Sequence, residues 1–285
     1  MKKTWPVIDT SFAIGVGALT HFIAEEEMEP HLEKHKIDIQ YVYQPDESFM
    51  HKTPDWNPYI GNDYIAKIQK LFYGKVRGLA TIQGFHQPPN CHCGEKVCPY
   101  GFNKEKNIAM EELDRAILDL GLWGIRINPA AHNYPLNSRK LVWPFLRRLS
   151  QLQEKTGRKM IVSVYSYADH IFNTTESFME SAKEFPSLIF LMQHAGFVWG
   201  CFTLGDTISM MQNVYFDVTT MPQFDVAWSV YKLYGVGKFC IGIDGPMGDF
   251  RIKEAIAADY CKTEEEKEML YGGNLAQILG IQPLA

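Results

Sequence analysis

The sequence lacks the features that mark membrane proteins, nucleic-acid-binding proteins and secreted proteins. No apolar segment approaches the roughly 18 residues that a helix needs to cross a bilayer. No long basic run is present and the formal net charge is -5, so nucleic acid is not an expected partner. Lys2 and Lys3 are followed by a short strand-like run instead of the apolar core of a secretory signal. We therefore expect a cytoplasmic protein with no membrane or nucleic-acid partner.

A glycine-rich phosphate-binding loop, the usual mark of an open doubly wound sheet, is also absent after the early strands. The chain instead alternates strand-like apolar runs with helix-like segments, which indicates parallel strands joined by helices. The eight strand-like runs are 6–9, 37–43, 76–83, 123–128, 160–165, 188–194, 214–218 and 238–244. Eight such units in about 250 residues predict a closed (β/α)8 TIM-like barrel, formed by residues 1–285 as one domain. An open doubly wound sheet is the alternative.

Two stretches, 44–62 and 84–106, interrupt this alternation. The first is rich in proline, aspartate, asparagine and aromatic residues, and the second contains a pair of prolines and a cluster of cysteines. They follow the second and third predicted strands, and loops after barrel strands lie on the catalytic face. We predict that both are lids or pocket walls over the barrel mouth; ordinary surface loops are the alternative.

Three of the six cysteines lie close together, at Cys91, Cys93 and Cys98, and His92 lies between the first two. In an intracellular protein such a cluster indicates metal binding more often than a disulfide framework. Three cysteines and one histidine form one of the ligand sets of closed, structural zinc sites. The alternatives are a loop with free thiols, or a loop that supplies a catalytic group over the barrel mouth.

An acid follows the last apolar run, where Asp244 precedes Gly245-Pro246. A carboxyl group that is partly buried at the end of a barrel strand is suited to general acid or base catalysis. His194 ends the sixth predicted strand, so a barrel would bring it to the same mouth as Asp244. The alternatives are an acid that caps the following turn and a core histidine bonded to a backbone carbonyl.

Arg126 lies within the fourth predicted strand, where a buried guanidinium requires an anionic partner. That partner is either the carboxylate of a small substrate or a structural acid such as Asp9 or Asp244. Further side chains around this substrate are expected where strands four, five and six end, and they are His132, Tyr165 and Trp199.

The order of several short motifs along nearly the whole chain resembles the amidohydrolase-related family. The motifs are Val7-Ile8-Asp9, Gly124-Ile-Arg-Ile-Asn-Pro129, Ile189-Phe-Leu-Met-Gln-His-Ala-Gly196, Val214-Tyr-Phe-Asp-Val218, Ile241-Gly-Ile-Asp-Gly-Pro246 and Gly273-Asn-Leu-Ala-Gln-Ile-Leu-Gly280. The resemblance implies a distorted (β/α)8 barrel whose members hydrolyse amides or lactones, or decarboxylate acids without redox chemistry. It also implies a homo-oligomer and a divalent metal held by two histidines after strand one, one histidine on each of strands five and six, and an aspartate on strand eight.

The chain departs from this ligand pattern, because Ser11, Ala13 and Ser163 occupy three of the histidine positions. Only His194 and Asp244 remain, whereas catalytic zinc sites generally use three protein ligands. The cofactor is therefore either one divalent metal such as zinc or none. We expect a hydrolase, decarboxylase or hydratase that uses Asp244 and His194 as acid and base. The alternative is a non-catalytic relative that has lost its metal and binds a ligand or a protein.

Overall fold

The computed structural model describes residues 3–16, 21–45, 58–82, 108–129, 134–166, 174–194, 211–218, 231–232, 235–248 and 250–284. Its frame is a ring of eight parallel strands. They are β1 Ile8–Ala13, β2 Ile39–Tyr43, β3 with the two segments Val76–Gly78 and Ala80–Thr81, β4 Gly124–Ile127, β5 Ile161–Tyr165, β6 Ile189–Gln193, β7 Val214–Asp217 and β8 Phe239–Cys240. Each strand pairs in parallel with the next one along the chain.

The ring is closed by contacts between β1 and the segment that follows β8. Phe12 forms a parallel bridge with Gly245. The backbone N–H of Thr10 donates to the carbonyl of Ile241 at 3.2 Å, and that of Ala13 donates to the carbonyl of Gly245 at 2.7 Å. The predicted (β/α)8 barrel is therefore confirmed, and the open sheet is excluded.

Helices follow the strands and cover the outside of the barrel. They are α1 Ala24–His35, α2 Pro58–Leu71, α3 Ile108–Leu118, α4 Trp143–Thr156, α5 Thr175–Glu184, α6 Phe250–Tyr260, α7 Glu264–Glu268 and α8 Asn274–Leu279, with a π-helical turn at Met269–Gly273 between the last two. A short hairpin of Gly15–Val16 and His21–Phe22 precedes α1. Among these described helices, none combines the length and the apolar character required to cross a membrane.

The loop predicted at 44–62 extends too far along the chain, because residues 58–62 already belong to helix α2, which begins at Pro58. Proline is favoured in the first turn of a helix, where its missing N–H has no intrahelical partner to lose. Residues 46–57 and 83–107 lie outside the described part of the chain. The placement of the two insertions over the barrel mouth therefore stays a prediction.

The first strand is longer than the apolar run that predicted it. The run stops at Asp9, whereas β1 continues to Ala13 through the buried polar residues Thr10 and Ser11. The register of β1 against β2 shifts between Asp9 and Phe12, which places Thr10 and Ser11 together opposite Tyr41. This bulge ends the simple alternation of inward and outward side chains that sequence patterns rely on.

Asp9 holds the bulge of β1 against the segment after β8. Its Oδ1 atom accepts the backbone N–H of Ser11 at 3.1 Å and that of Ile243 at 2.9 Å. The side chain is buried, and this burial raises the pKa of the Asp9 carboxyl to about 7. The carboxylate of Asp217 raises it further, whereas the backbone hydrogen bonds lower it.

This raised pKa makes the stability of the fold depend on pH. Because the folded-state pKa of Asp9 lies above the unfolded value of 3.8, the protonated group stabilises the fold below pH 4, and this contribution is lost as pH rises through about 7. Asp9 was one of two acids named as the structural alternative to a substrate carboxylate for Arg126, and the structure shows it bonded to backbone amides of β1 and the segment after β8.

We predict that Asp9→Asn removes this pH dependence, since asparagine keeps an acceptor for both backbone amides and cannot ionise. Between pH 4.5 and pH 8, the free energy of unfolding of the wild type should fall relative to that of the variant by roughly 3 kcal/mol. Urea unfolding at several pH values measures this difference. Asp259→Asn, at an exposed position on α6, is the control. A difference between Asp9→Asn and wild type that stays constant with pH would contradict the prediction.

Candidate active site

Polar side chains converge where the barrel strands end. The lower part of the barrel interior is apolar and contains Ile8, Ile39, Tyr41, Leu79, Ile161, Ile189, Leu191 and Tyr215. Above this layer the strands present a ring of polar and aromatic groups, namely Ser11, Tyr43, Arg126, Tyr165, His194 and Asp244. The structure thus brings together Asp244, His194, Arg126 and Tyr165, four of the residues predicted from the sequence.

His194 and Asp244 face each other across the ends of β6 and β8. The Nε2 atom of His194 lies 3.9 Å from Oδ1 of Asp244, which is too long for a direct hydrogen bond and suits an interaction between charges. The imidazole is buried, whereas the Asp244 side chain is 19% exposed and so reaches the mouth.

Both residues of this pair adopt a backbone conformation that is unusual for their type. The φ angles of His194 and Asp244 are each 57°, in the left-handed region that favours glycine. A side chain in that region costs on the order of 1 kcal/mol and persists only where the surrounding structure holds it. His194 directly follows β6, and Asp244 lies in the segment after β8. Two strained residues with side chains turned toward each other are typical of a functional site.

Arg126 is wholly buried on β4 and lies between two aromatic rings. Its guanidinium carbon is 4.6 Å from the ring centre of Tyr43 and 5.0 Å from that of Tyr165. One terminal nitrogen donates to the carbonyl of Ile127 at 2.8 Å. Stacking on aromatic faces and a fixed backbone contact hold the guanidinium in one orientation.

Tyr165 links the arginine to the acid–base pair. It ends β5, and its ring lies edge-on to the imidazole of His194, with the ring centres 4.9 Å apart. The same ring therefore contacts Arg126 on one side and His194 on the other. This explains why a tyrosine stands at the end of β5, where the sequence predicted a pocket residue.

A chain of hydrogen bonds continues the ring through residues that the sequence analysis missed. The hydroxyls of Ser11 and Tyr43 share a hydrogen bond of 2.9 Å, and Nε2 of Gln193 donates to Ser11 Oγ at 3.3 Å. On the other side of β1, Thr10 Oγ1 donates to Asp217 Oδ2 at 2.7 Å. Tyr43, Gln193 and Asp217 each end a strand, so the convergence of strand ends in a barrel is the signal that would have identified them.

Oγ of Ser163 and Oε1 of Gln193 are buried on the inner wall of the mouth and have no hydrogen-bond partner among the described residues. Ser163 pairs with Arg126 in the sheet register. Buried polar groups are normally satisfied by protein, water or ligand. Their position on β5 and β6 indicates that the inner wall of the mouth is built to receive a polar group.

The mouth does not fit the metal site that the family resemblance implies. Ser11 and Ser163 are buried, and their hydroxyls are weak ligands compared with imidazole or carboxylate. Within the described part of the chain, no three histidine, cysteine, aspartate or glutamate residues are grouped so that they could hold a metal ion. Together His194 and Asp244 supply two donors, so we derive no catalytic step through a metal.

Several predicted residues lie outside the described part of the chain. These are His132, Trp199 and the zinc-ligand candidates Cys91, His92, Cys93 and Cys98. Their roles stay predictions.

Comparison with known proteins shows the fold. No family model matches the chain, and no curated protein matches it in sequence. A 2,6-dihydroxybenzoate decarboxylase from Rhizobium shares 11% identity over 99% of both chains, with a TM-score of 0.67. A putative amidohydrolase from Staphylococcus aureus shares 17% identity over 96% of this chain and 99% of that one, with a TM-score of 0.65.

A dihydroxybenzoic acid decarboxylase from Polaromonas, solved with bound manganese, shares 12% identity over 90% of this chain and 86% of that one, with a TM-score of 0.63. At identities this low, the similarity concerns the barrel fold alone. The chain therefore has an amidohydrolase-like (β/α)8 fold.

We predict that any zinc bound by the purified protein is held by the cysteine cluster and not by the mouth. Metal content measured by plasma mass spectrometry should be unchanged in Asp244→Asn and should fall by about one equivalent in a double variant of Cys93 and Cys98 to serine. Loss of the metal in Asp244→Asn, with the cysteine variant unchanged, would contradict the prediction and would place the metal at the mouth.

Proposed function

We propose that the chain is an enzyme that binds a small carboxylated substrate at the barrel mouth and acts on it by acid–base chemistry. The observation that carries the proposal is the buried guanidinium of Arg126, held between Tyr43 and Tyr165 next to the His194–Asp244 pair. A fixed cation beside a proton-transfer pair suits a reaction of a bound anion.

Arg126 is the proposed anchor for the substrate carboxylate. A guanidinium binds a carboxylate through two parallel hydrogen bonds, which fixes the orientation as well as the position of the acid. The rings of Tyr43 and Tyr165 pack against the buried guanidinium, and the interaction with a carboxylate is stronger where water is excluded. An aromatic or unsaturated acid would also pack against these rings.

His194 and Asp244 are the proposed acid and base. Since Asp244 is 19% exposed and His194 is buried, Asp244 can exchange protons with solvent while His194 faces the substrate. A histidine that gains and loses a proton during the reaction can deliver a proton to a substrate carbon or remove one from a hydroxyl.

Within this class we infer that non-oxidative decarboxylation fits best. The reaction breaks the bond between the carboxyl group and the neighbouring carbon of the substrate, and it releases CO2. One proton is then placed on that neighbouring carbon, so a single acid–base pair suffices. Hydrolysis of a lactone or amide also requires an activated water, which a bound metal ion usually provides. Two of the similar solved structures are decarboxylases of hydroxylated benzoic acids, which supports the inference, and the putative amidohydrolase supports hydrolysis as the second candidate.

Conservative substitution of Arg126 should weaken binding of the substrate. We expect Arg126→Lys to raise KM or the Kd of an aromatic carboxylate roughly 10- to 100-fold, because a point charge replaces the bidentate fork. Arg77→Lys is the matched control, since Arg77 also stacks on aromatic rings, those of Trp123 and Tyr41, at the opposite end of the barrel. Equal losses in both variants would contradict the assignment of Arg126.

Removal of the acid–base pair should abolish turnover while leaving binding intact. For Asp244→Asn and for His194→Gln we expect kcat to fall at least ~100-fold, with the Kd of the carboxylate changed only slightly. Release of CO2 from a panel of benzoic and unsaturated acids measures turnover, and release of alcohol or amine from lactones and amides tests the second candidate. Tight binding of an acid by the wild type without any turnover would favour the non-catalytic relative.

The predicted homo-oligomer and cytoplasmic location remain part of this proposal. Sedimentation of the purified protein measures its mass in solution and so tests the predicted homo-oligomer.

A further inference from the structure

A second cavity lies on the outside of the barrel, away from the ring of residues at the mouth. It is a groove of about 860 Å³ between the end of α1, the start of α6 and the amino-terminal residues that lead into β1. Val7, Met247 and Tyr271 contribute its apolar lining. Its volume is within the range of small-molecule binding sites.

The groove concentrates positive charge in a chain that is negative overall. Six basic side chains line it, and they are Lys3, Lys34, His35, Lys36, Arg251 and Lys253. Glu254 is the acid that lines it, whereas the whole chain has a net charge of -5. Lys3 forms an ion pair with Asp38, and the remaining cations give the groove a positive potential that favours an anionic ligand.

Two of these cations extend from the end of α1 with no ion-pair partner among the described residues. Lys34 lies in the last turn of the helix, and Lys36 follows it as the carboxyl-terminal cap. The φ angle of Lys36 is 53°, in the left-handed region where glycine is the usual cap. A lysine at this position sacrifices some stability and places a charge at the edge of the groove.

A third cation forms the floor of the groove. Lys253 is 5% exposed, and its ammonium lies 4.5 Å from the ring centre of Tyr271. Burial lowers the pKa of Lys253 to about 8. A bound anion would favour its charged form, so this lysine would gain from the presence of a ligand.

We propose that this groove binds a small anion that carries two or more phosphate groups. Lysine ammonium groups are compact point charges that suit phosphate oxygens spread over several positions, whereas planar carboxylates favour arginine. Several linked phosphate groups would contact cations from more than one of the segments that line the groove. The bounded groove and the negative charge of the rest of the chain favour a small molecule over an extended nucleic acid.

Inorganic tripolyphosphate is the probe that tests the proposal, with titration calorimetry as the measurement. We expect saturable binding of about one equivalent by the wild type, weakened at least about 10-fold by the double variant Lys34→Ala/Lys36→Gly. Glycine suits the backbone of residue 36, so this variant should fold at least as well as the wild type, which thermal unfolding checks. Lys155→Ala/Lys159→Ala, a pair of exposed lysines around the end of α4, is the charge-matched control and should bind normally.

Four results would overturn the proposal. The first two are absence of binding and equal weakening of binding in both double variants. The third is an affinity for sulfate equal to that for tripolyphosphate, which would indicate an adventitious ion only. The fourth is tighter binding of a single-stranded RNA that is lost when the same lysines are replaced. Binding of tripolyphosphate that is also lost in Lys253→Met, with Lys155→Ala/Lys159→Ala unaffected, would extend the site to the floor of the groove.

Discussion

Closure of the barrel between β1 and the segment after β8 is the contact on which the arrangement of the mouth depends. The Phe12–Gly245 bridge and the Asp9 carboxylate join the two ends of the sheet within a few residues of Asp244. Because the ring is closed there, the backbone of Asp244 is held in its left-handed conformation and its side chain faces His194. A buried acid whose pKa is raised to about 7 thus lies behind the residue proposed to exchange protons with solvent.

The second organising feature of the mouth is Arg126. A guanidinium in a barrel interior is costly unless its charge is neutralised, so its burial links the stability of the fold to the chemistry of the site. The rings of Tyr43 and Tyr165 both pack against the Arg126 guanidinium, and the ring of Tyr165 also contacts the imidazole of His194. A substrate carboxylate bound by Arg126 would therefore contact the same tyrosine that positions the histidine.

The strands of the barrel were predictable because parallel strands are buried on both faces and appear as short apolar runs. Their closure then made it predictable that His194 and Asp244 would meet, since strand ends converge. The bulge at Thr10 and Ser11 was not predictable, because it depends on pairing with β2 and not on local pattern. Tyr43 and Gln193 were missed because an aromatic or amide at the end of an apolar run looks like part of that run. Which of them faces the mouth is decided by register alone.

The most direct test of the central claim is a crystal structure of the protein with an aromatic carboxylate bound at the mouth. If Arg126 anchors the substrate, both carboxylate oxygens should lie within about 3 Å of its guanidinium nitrogens, and the carbon bearing the carboxylate should face the His194 imidazole. A metal ion bridging His194 and Asp244, with Arg126 paired to an acid of the protein and the ligand bound elsewhere, would contradict this role of Arg126.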